Sequence, residues 1–225
     1  MTPLLDVLPS AQRELWPQLN ELPSHFVLYG GTAIALYLGH RVSVDFDFFT
    51  DTALGEAEKQ NLLSKISWLA GADILLTDQN TLTVSLRRSA PIKISFFGAI
   101  NNGCVSAPSK TDDNVTCIAS MDDLFAHKLK VIHDRAEGKD YQDIACMLMQ
   151  GQSLARGLAA KEVLFGASVP AMATLKALAY FDDISEPWRL TVDMKAAIAR
   201  AIKQLPDQWE PAAIFSQTIS CASSA

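Results

Sequence analysis

The sequence predicts an α+β protein in two parts: a front half that mixes strands and helices, and a back half that is nearly all helix. Three observations carry this. Short apolar runs of strand length, parted by turn residues, occupy the chain up to about residue 118. Beyond that point apolar residues recur at helical spacing with short connectors. The chain has 225 residues, 49% apolar and 20% charged, enough to bury a sizeable core without staples.

The elements follow in order. Residues 10–22 (SAQRELWPQLNEL) read as a short helix interrupted by Pro17. Phe26 to Tyr29 is a short apolar strand. Residues 32–40 have helical spacing, with Ile34, Ala35 and Leu38 as inward candidates. Val42 to Phe49 alternates as a strand, and residues 55–70 form an amphipathic helix. Strands are expected at 73–77, 81–88 and 91–97, with DQN and RSAP as the turns between them. Residues 103–118 read as loop and edge strand. Helices then follow over Met121–Ile132, with Ser120 placed to cap the first, and over 139–150, 152–165, 170–180 and 191–204. The boundary near 118–121 gives an α/β domain at 1–119 and a helical domain at 120–225.

Composition narrows the classes. No apolar run approaches the ~18–20 residues of a membrane span. The start, MTPLLDVLPSAQRELW, has an acid and prolines where a signal peptide needs a basic start and an unbroken apolar stretch, so a cytoplasmic protein is expected. Cysteines at 104, 117, 146 and 221 form no CxxC pair and have no histidine at zinc-ligand spacing; they read as buried, reduced thiols. A net charge of −6 argues against indiscriminate nucleic-acid binding while leaving room for a local basic groove.

The stretch YGGTAIALYLGHRVSVDFDFFTD (29–51) carries the chemistry. By alternation, Val42, Val44, Phe46 and Phe48 take one strand face, and Ser43, Asp45 and Asp47 the other. The apolar face is complete without the acids, which stand about 7 Å apart along the strand. Like charges this close repel unless a cation lies between them. Oxygen ligands of this kind suit Mg²⁺, which takes one or two carboxylates plus substrate phosphates. Upstream, Gly30 and Gly31 open a helix whose first N–H groups can bind an anion, with Thr32 adding a hydroxyl. A bare pair of acids on a solvated strand face is the plainer alternative; the preceding glycine turn and helix start weigh against it.

Gly30-Gly31-Thr32 followed by Arg41-x-Ser43-x-Asp45-x-Asp47 resembles the first motif of the nucleotidyltransferase superfamily, and in particular its AbiEii/AbiGii toxin branch. The segment SMDDLFAHKLKVIHDRAEGKDYQDIACML (120–148) resembles the branch's second block at Asp123, Lys128, Leu129, Arg135, Lys139, Asp140, Asp143 and Ile144. The resemblance implies a nucleotidyltransferase-like mixed sheet with flanking helices, and a helical half that completes the active-site cleft. It implies Mg²⁺–NTP held by Asp45 and Asp47, and transfer of a nucleoside monophosphate to an acceptor with release of pyrophosphate. Lys128 would be the phosphate lysine, and either Asp140 or Asp143 the late catalytic acid. Gly30, Gly31, Thr32, Arg41, Ser43, Lys93 and Lys139 are the remaining nucleotide-binding candidates. The implied partners are NTP, tRNA or another RNA acceptor, and a cognate antitoxin. Basic residues at 128, 130, 135 and 139 offer a local groove. The tail PAMATLKALAYFDD (170–183) also resembles this group, and helix packing accounts for it.

One position departs from the superfamily. The strand PIKISFFG carries Ser95 where a third carboxylate is expected. The late acid can serve as base instead, since neither Asp140 nor Asp143 has an evident core role; two aspartates with positioning alone can suffice; or the site binds nucleotide with little turnover. The competing functions are therefore RNA nucleotidyl transfer, nucleotide sensing without transfer, and AMPylation of a protein hydroxyl. No G-x-S-x-G elbow supports a hydrolase, and His25, His40, His127 and His133 lack a carboxylate–nucleophile set.

Overall fold

The computed structural model describes residues 1–135, 137–166, 170–181, 184 and 190–221. The chain divides into two units. The first takes Met1–Gly103, Ala107–Ser120 and Ser216–Ala225; the second takes Cys104–Ser106 and Met121–Phe215.

In the first unit, α1 (Ser10–Leu15) tightens into a 3₁₀ turn over Trp16–Glu21, because Pro17 has no N–H to continue the α-helical ladder. Trp16 is buried there and donates its indole N–H to Asp113 at 2.7 Å. β1 (Val27–Tyr29) runs without a loop into α2 (Gly30–Leu38), which ends on Gly39 in the left-handed conformation. Thr32 to Leu36 are all buried, so α2 is enclosed on every side; Leu36 takes the interior position expected of Leu38, which is half-buried.

β2 spans only Phe46–Phe49, shorter than the expected Val42–Phe49. Upstream of it the alternation is inverted: Val42 and Val44 are 58% and 49% exposed, and Ser43 is buried. Local bonds override the pattern. The Ser43 N–H goes to the Val7 carbonyl at 3.0 Å, and the Gln12 amide donates to the Val44 carbonyl at 2.9 Å.

α3 (Glu56–Lys65) stops at Ile66 and gives way to a 3₁₀ turn over Ser67–Leu69, dividing the single helix expected over 55–70. β3 (Asp73–Asp78), β4 (Thr81–Leu86) and β5 (Ile92–Phe97) follow as successive antiparallel neighbours. β6 (Ser109–Lys110) and β7 (Cys117–Ile118) complete a seven-stranded mixed sheet of order β3-β4-β5-β2-β1-β7-β6. Of the 103–118 stretch only β6 is an edge; β7 lies inside, parallel to β1.

One sheet face is apolar. Leu28, Phe46, Phe48, Leu82, Val84, Ile92, Ile94 and Phe96 are at most 1% exposed. The Phe48 and Phe96 rings stack with centroids 5.7 Å apart. Each such side chain contributes roughly 1.5–3 kcal/mol by burial. Together they lock the strand register, because a one-residue slip would send β2's phenylalanines out and its acid in.

The second unit is built from α4 (Met121–Asp134), α5 (Gly138–Met149), α6 (Leu154–Phe165), α7 (Ala171–Leu178) and α8 (Val192–Lys203). Ser153 and Thr191 cap α6 and α8 through their side-chain oxygens. α4 and α6 meet closely at Gly157, where an added Cβ would lie 2.5 Å from the Phe125 ring. Asp123 accepts the N–H groups of Val105 and Ser106 at 2.9 and 3.2 Å, which ties the short 104–106 segment to α4. Residues 182–183 of the expected helical tail lie outside the described residues. Among the described residues no helix is long and apolar enough to cross a membrane.

The cysteines correct the expectation of four reduced thiols. The segment after Phe215 returns to the first unit, buries Ile219, and brings Cys221 within a Cα–Cα distance of 6.3 Å from Cys117, to which it is disulfide-bonded. Cys104 and Cys146 are free thiols. Such a bond is more at home in an oxidising compartment than in the cytoplasm. Thiol titration of the denatured chain is expected to find two reactive thiols before reduction and four after it. Four before reduction would contradict the pairing.

Candidate active site

The second face of the first unit's sheet is polar along a single line. Tyr29 of β1 pairs with Asp47 of β2, Asp47 with Ser95 of β5, and Ser95 with Thr83 of β4. Residues opposite one another in register share a face, so a half-buried carboxylate sits in a row of hydroxyl-bearing side chains. Lys93, two residues before Ser95, shares that face and is exposed. At the other end, Phe49 stacks on Tyr29 at 4.7 Å and meets Phe97 edge-on at 5.2 Å.

Gly30 is required where it stands. Its φ is +73°, and an added Cβ would lie 2.7 Å from Asp47 Oδ2. Only glycine combines that conformation with so close a carboxylate. The start of α2 is thus brought directly against the acid, and the side chain of Tyr29, the residue before it, makes no cap hydrogen bond to its first turn. The N–H groups of that turn form an anion-binding end. Half-buried Gly31 follows, leaving the backbone approachable.

Asp45 is set by a relay of hydroxyls. Thr32 donates to the Asp45 carbonyl, and its Oγ1 lies 2.8 Å from Ser43 Oγ. A hydroxyl has one proton; Thr32's is spent on a carbonyl, so Ser43 donates to Thr32. Both residues are buried. Both are nucleotide-binding candidates, with Ser43 expected to orient Asp45 or a phosphate oxygen, and here they hold the backbone at Asp45. Half-buried Arg41 donates to the Val42 carbonyl at 3.1 Å.

In the second unit, Lys128 lies between two acids of α5, 2.5 Å from Asp140 and 2.7 Å from Asp143. Asp140 and Asp143 are wholly buried, and Lys128 is 7% exposed. Arg135 reaches Asp140 at 3.0 Å and Glu137 at 3.1 Å, and Lys139 reaches Glu137 at 3.0 Å. One sequence expectation changes here. The acids at 140 and 143 do have a core role, as counter-charges to a buried ammonium. Lys128, Lys130, Arg135 and Lys139 are each paired with an acid, the last three at the surface. Breaking a buried pair of this kind costs ~3–5 kcal/mol.

Spacing in the sequence had placed Asp45, Asp47 and Ser95, and the structure brings Asp47 and Ser95 side by side. It did not reveal Thr83, although the polar alternation of Thr81, Thr83 and Ser85 was the available signal. Among the described residues there is no group of three or more His, Cys, Asp or Glu placed to hold a metal. A carboxylate, Asp47, beside an anion-binding helix start, with Asp45 two residues before it in the chain, fits a cation that shares its coordination with substrate phosphates.

A glycine-opened helix seated against a strand carboxylate, on a mixed sheet of this order, defines a nucleotidyltransferase-type protein. The family described as "Nucleotidyl transferase AbiEii toxin, Type IV TA system" matches residues 18–217, and the chain belongs to it. An uncharacterised protein of Aquifex aeolicus (strain VF5) is 31% identical over 144 residues, covering 61% of this chain and 65% of that protein's length. MenT4, a nucleotidyltransferase toxin from Mycobacterium tuberculosis H37Rv, has the same fold at a TM-score of 0.62 and 13% identity, over 87% of this chain and 82% of its own. A candidate nucleotidyltransferase from H. pylori aligns at a TM-score of 0.52 and 15% identity, over 86% and 92%.

Two predictions follow from this geometry. Gly30→Ala is expected to lower stability by ~1–3 kcal/mol in thermal unfolding and to abolish nucleotide binding, since backbone strain and the Asp47 contact act together. An unchanged melting temperature and unchanged binding would contradict the seat. Half-buried His127, with its ring edge-on to Phe165 at 4.9 Å, is pushed down to about 4 by desolvation, with the Lys130 charge adding to the effect. The folded state therefore favours the neutral imidazole. That contribution is complete above the unfolded value of about 6.5 and is lost as pH falls towards about 4, a change of roughly 3 kcal/mol. Denaturant unfolding of His127→Gln should lose this part of the pH dependence between those values.

Proposed function

We propose that the chain transfers a nucleoside monophosphate from an NTP to an acceptor hydroxyl and releases pyrophosphate. The observation that carries this reading is the seat of Asp47 against Gly30, which sets a metal-binding carboxylate at the mouth of a helix N-terminus. Asp45 and Asp47 would hold Mg²⁺, which when bound neutralises charge on the phosphates. The N–H groups at Gly30 and Gly31 take phosphate oxygens. Thr32 and Ser43 fix the chain at Asp45. Arg41 and Lys93 are the nearby cations for the triphosphate or the acceptor. In the helical unit Lys128, Asp140, Asp143 and Lys139 are the branch's second set of candidate residues, with Lys128 held by both aspartates. Positioning and charge neutralisation then carry most of the catalysis, with the acceptor hydroxyl's proton passing to solvent as the new ester bond forms and pyrophosphate leaves.

The proposed acceptor is an RNA, tRNA first, in a toxin–antitoxin setting with a cognate antitoxin. Support comes from the family and from exposed Arg88 and Lys93 on and beside the β4–β5 turn, where Arg87 is paired with Asp73 of β3. The register of Ser95 beside Asp47 favours a second reading, a nucleotide-binding module with little turnover.

The test incubates the protein with Mg²⁺, each α-³²P-labelled NTP and total tRNA. Label in RNA is expected, reduced at least about a hundredfold in Asp45→Ala or Asp47→Ala, with both variants still folded. Label on protein would shift the acceptor to a side-chain hydroxyl. Nucleotide binding with no label anywhere would establish the second reading.

A further inference from the structure

The cations of the helical unit are not all neutralised. Lys128, Lys130, Arg135, Lys139 and Arg156 each meet an acid. On α8, Lys195, Arg200 and Lys203 are exposed, and among the described residues none of the three has an acid partner. Ile198 is buried and Met194, Ala197 and Ala201 are half-buried, so the inner side of this helix is apolar. At 3.6 residues per turn, Lys195, Ala199 and Lys203 share the outer side, with Ala196 and Arg200 one step round it. The helix's one acid, Asp193, sits in its first turn. The three cations span ~12 Å of helix, with exposed alanines between them. In a chain of net charge −6 this is a local positive stripe, open to a phosphate-bearing strand.

Beside the stripe, a cavity of about 600 Å³ lies between the α5–α6 turn and α8, within the size range of ligand sites. Arg200 belongs to both, since it also lines the cavity. Leu148, Leu154 and Leu205 supply apolar wall. Gln152 and Gln204 line it too, and among the described residues neither side-chain amide has a hydrogen-bond partner. A primary amide offers a donor and an acceptor side by side, which matches the edge of a nucleobase. We infer that this cavity holds one unstacked nucleotide of the acceptor RNA. Its base lies on the apolar wall against the two glutamine amides, and the adjoining phosphates lie on Arg200, Lys203 and Lys195. Single-stranded RNA is the form that splays out a base in this way. The inference rests on the reading of the acceptor as an RNA under Proposed function, and it adds where that RNA is gripped.

The test is filter binding of the full chain, without NTP, to short labelled homopolymer RNAs of A, C and U over a series of salt concentrations, with the melting temperature of each variant measured alongside. The natural chain is expected to prefer one base about tenfold. Lys195→Gln/Arg200→Gln/Lys203→Gln should weaken binding of all three RNAs and flatten the slope of log affinity against log salt by ~2, at ~0.7 per phosphate contact. Arg200→Lys should keep the slope. Gln152→Ala/Gln204→Ala should level the three affinities and leave the slope as it was. An unchanged slope in the triple variant would overturn the inference while leaving label transfer to RNA standing; a lowered melting temperature with that unchanged slope would mark the cations as helix-end partners only. Equal binding of the three RNAs by the natural chain would overturn the base site. Free nucleoside monophosphates bound as tightly as RNA would make the cavity a free-nucleotide site and overturn the RNA assignment. No RNA retained even at low salt would overturn the inference and the RNA reading together.

Discussion

The close approach of Gly30 to Asp47 is the contact on which the candidate site depends. β1 passes into α2 with no intervening loop, and that is possible because Gly30 takes a positive φ and has no Cβ to collide with the carboxylate. Pairing of Tyr29 with Asp47 puts the acid level with the turn. The opposite sheet face enforces the pairing: Phe46, Phe48 and Phe96 are wholly buried, and their burial far exceeds any gain from exposing the acid more fully. An apolar core on one side of a four-residue strand therefore sets the position of a charged group on the other.

Two further arrangements, one in each unit, fix polar and charged groups by local bonding. The relay from Ser43 to Thr32 to the Asp45 carbonyl holds the residues before β2 in an irregular path that leaves two valines exposed. In the helical unit, buried Lys128, Asp140 and Asp143 form a charge cluster that exposed Arg135 balances from the surface. Such a group does little for net stability and much for uniqueness, because any other packing would strand a charge. Among the described residues, both arrangements fix where a charged group is held.

Much of the architecture was legible in the sequence because its signals are local. The switch from alternating to helical periodicity marks the change from strands to helices, and each long element is found close to where its pattern put it. Pro17 announced the break in the first helix. The pairing of Asp47 with Ser95 on one face was legible because period-two alternation translates directly into shared faces. What could not be read depends on contacts distant in the chain. The inversion at Val42–Val44 comes from Val7 and Gln12, more than 30 residues away. The bond between Cys117 and Cys221 spans 104 residues. The burial of Asp140 and Asp143 follows from a lysine on the preceding helix, and spacing alone cannot tell a solvated acid from one that neutralises a buried ammonium.

The most direct test of the central claim is a crystal structure of the chain with Mn²⁺ and a non-transferable NTP, read through the manganese anomalous signal. The account predicts a peak between the Asp45 and Asp47 carboxylates, with triphosphate oxygens on the N–H groups at Gly30 and Gly31. A nucleotide bound elsewhere, or a peak that avoids Asp47, would contradict it.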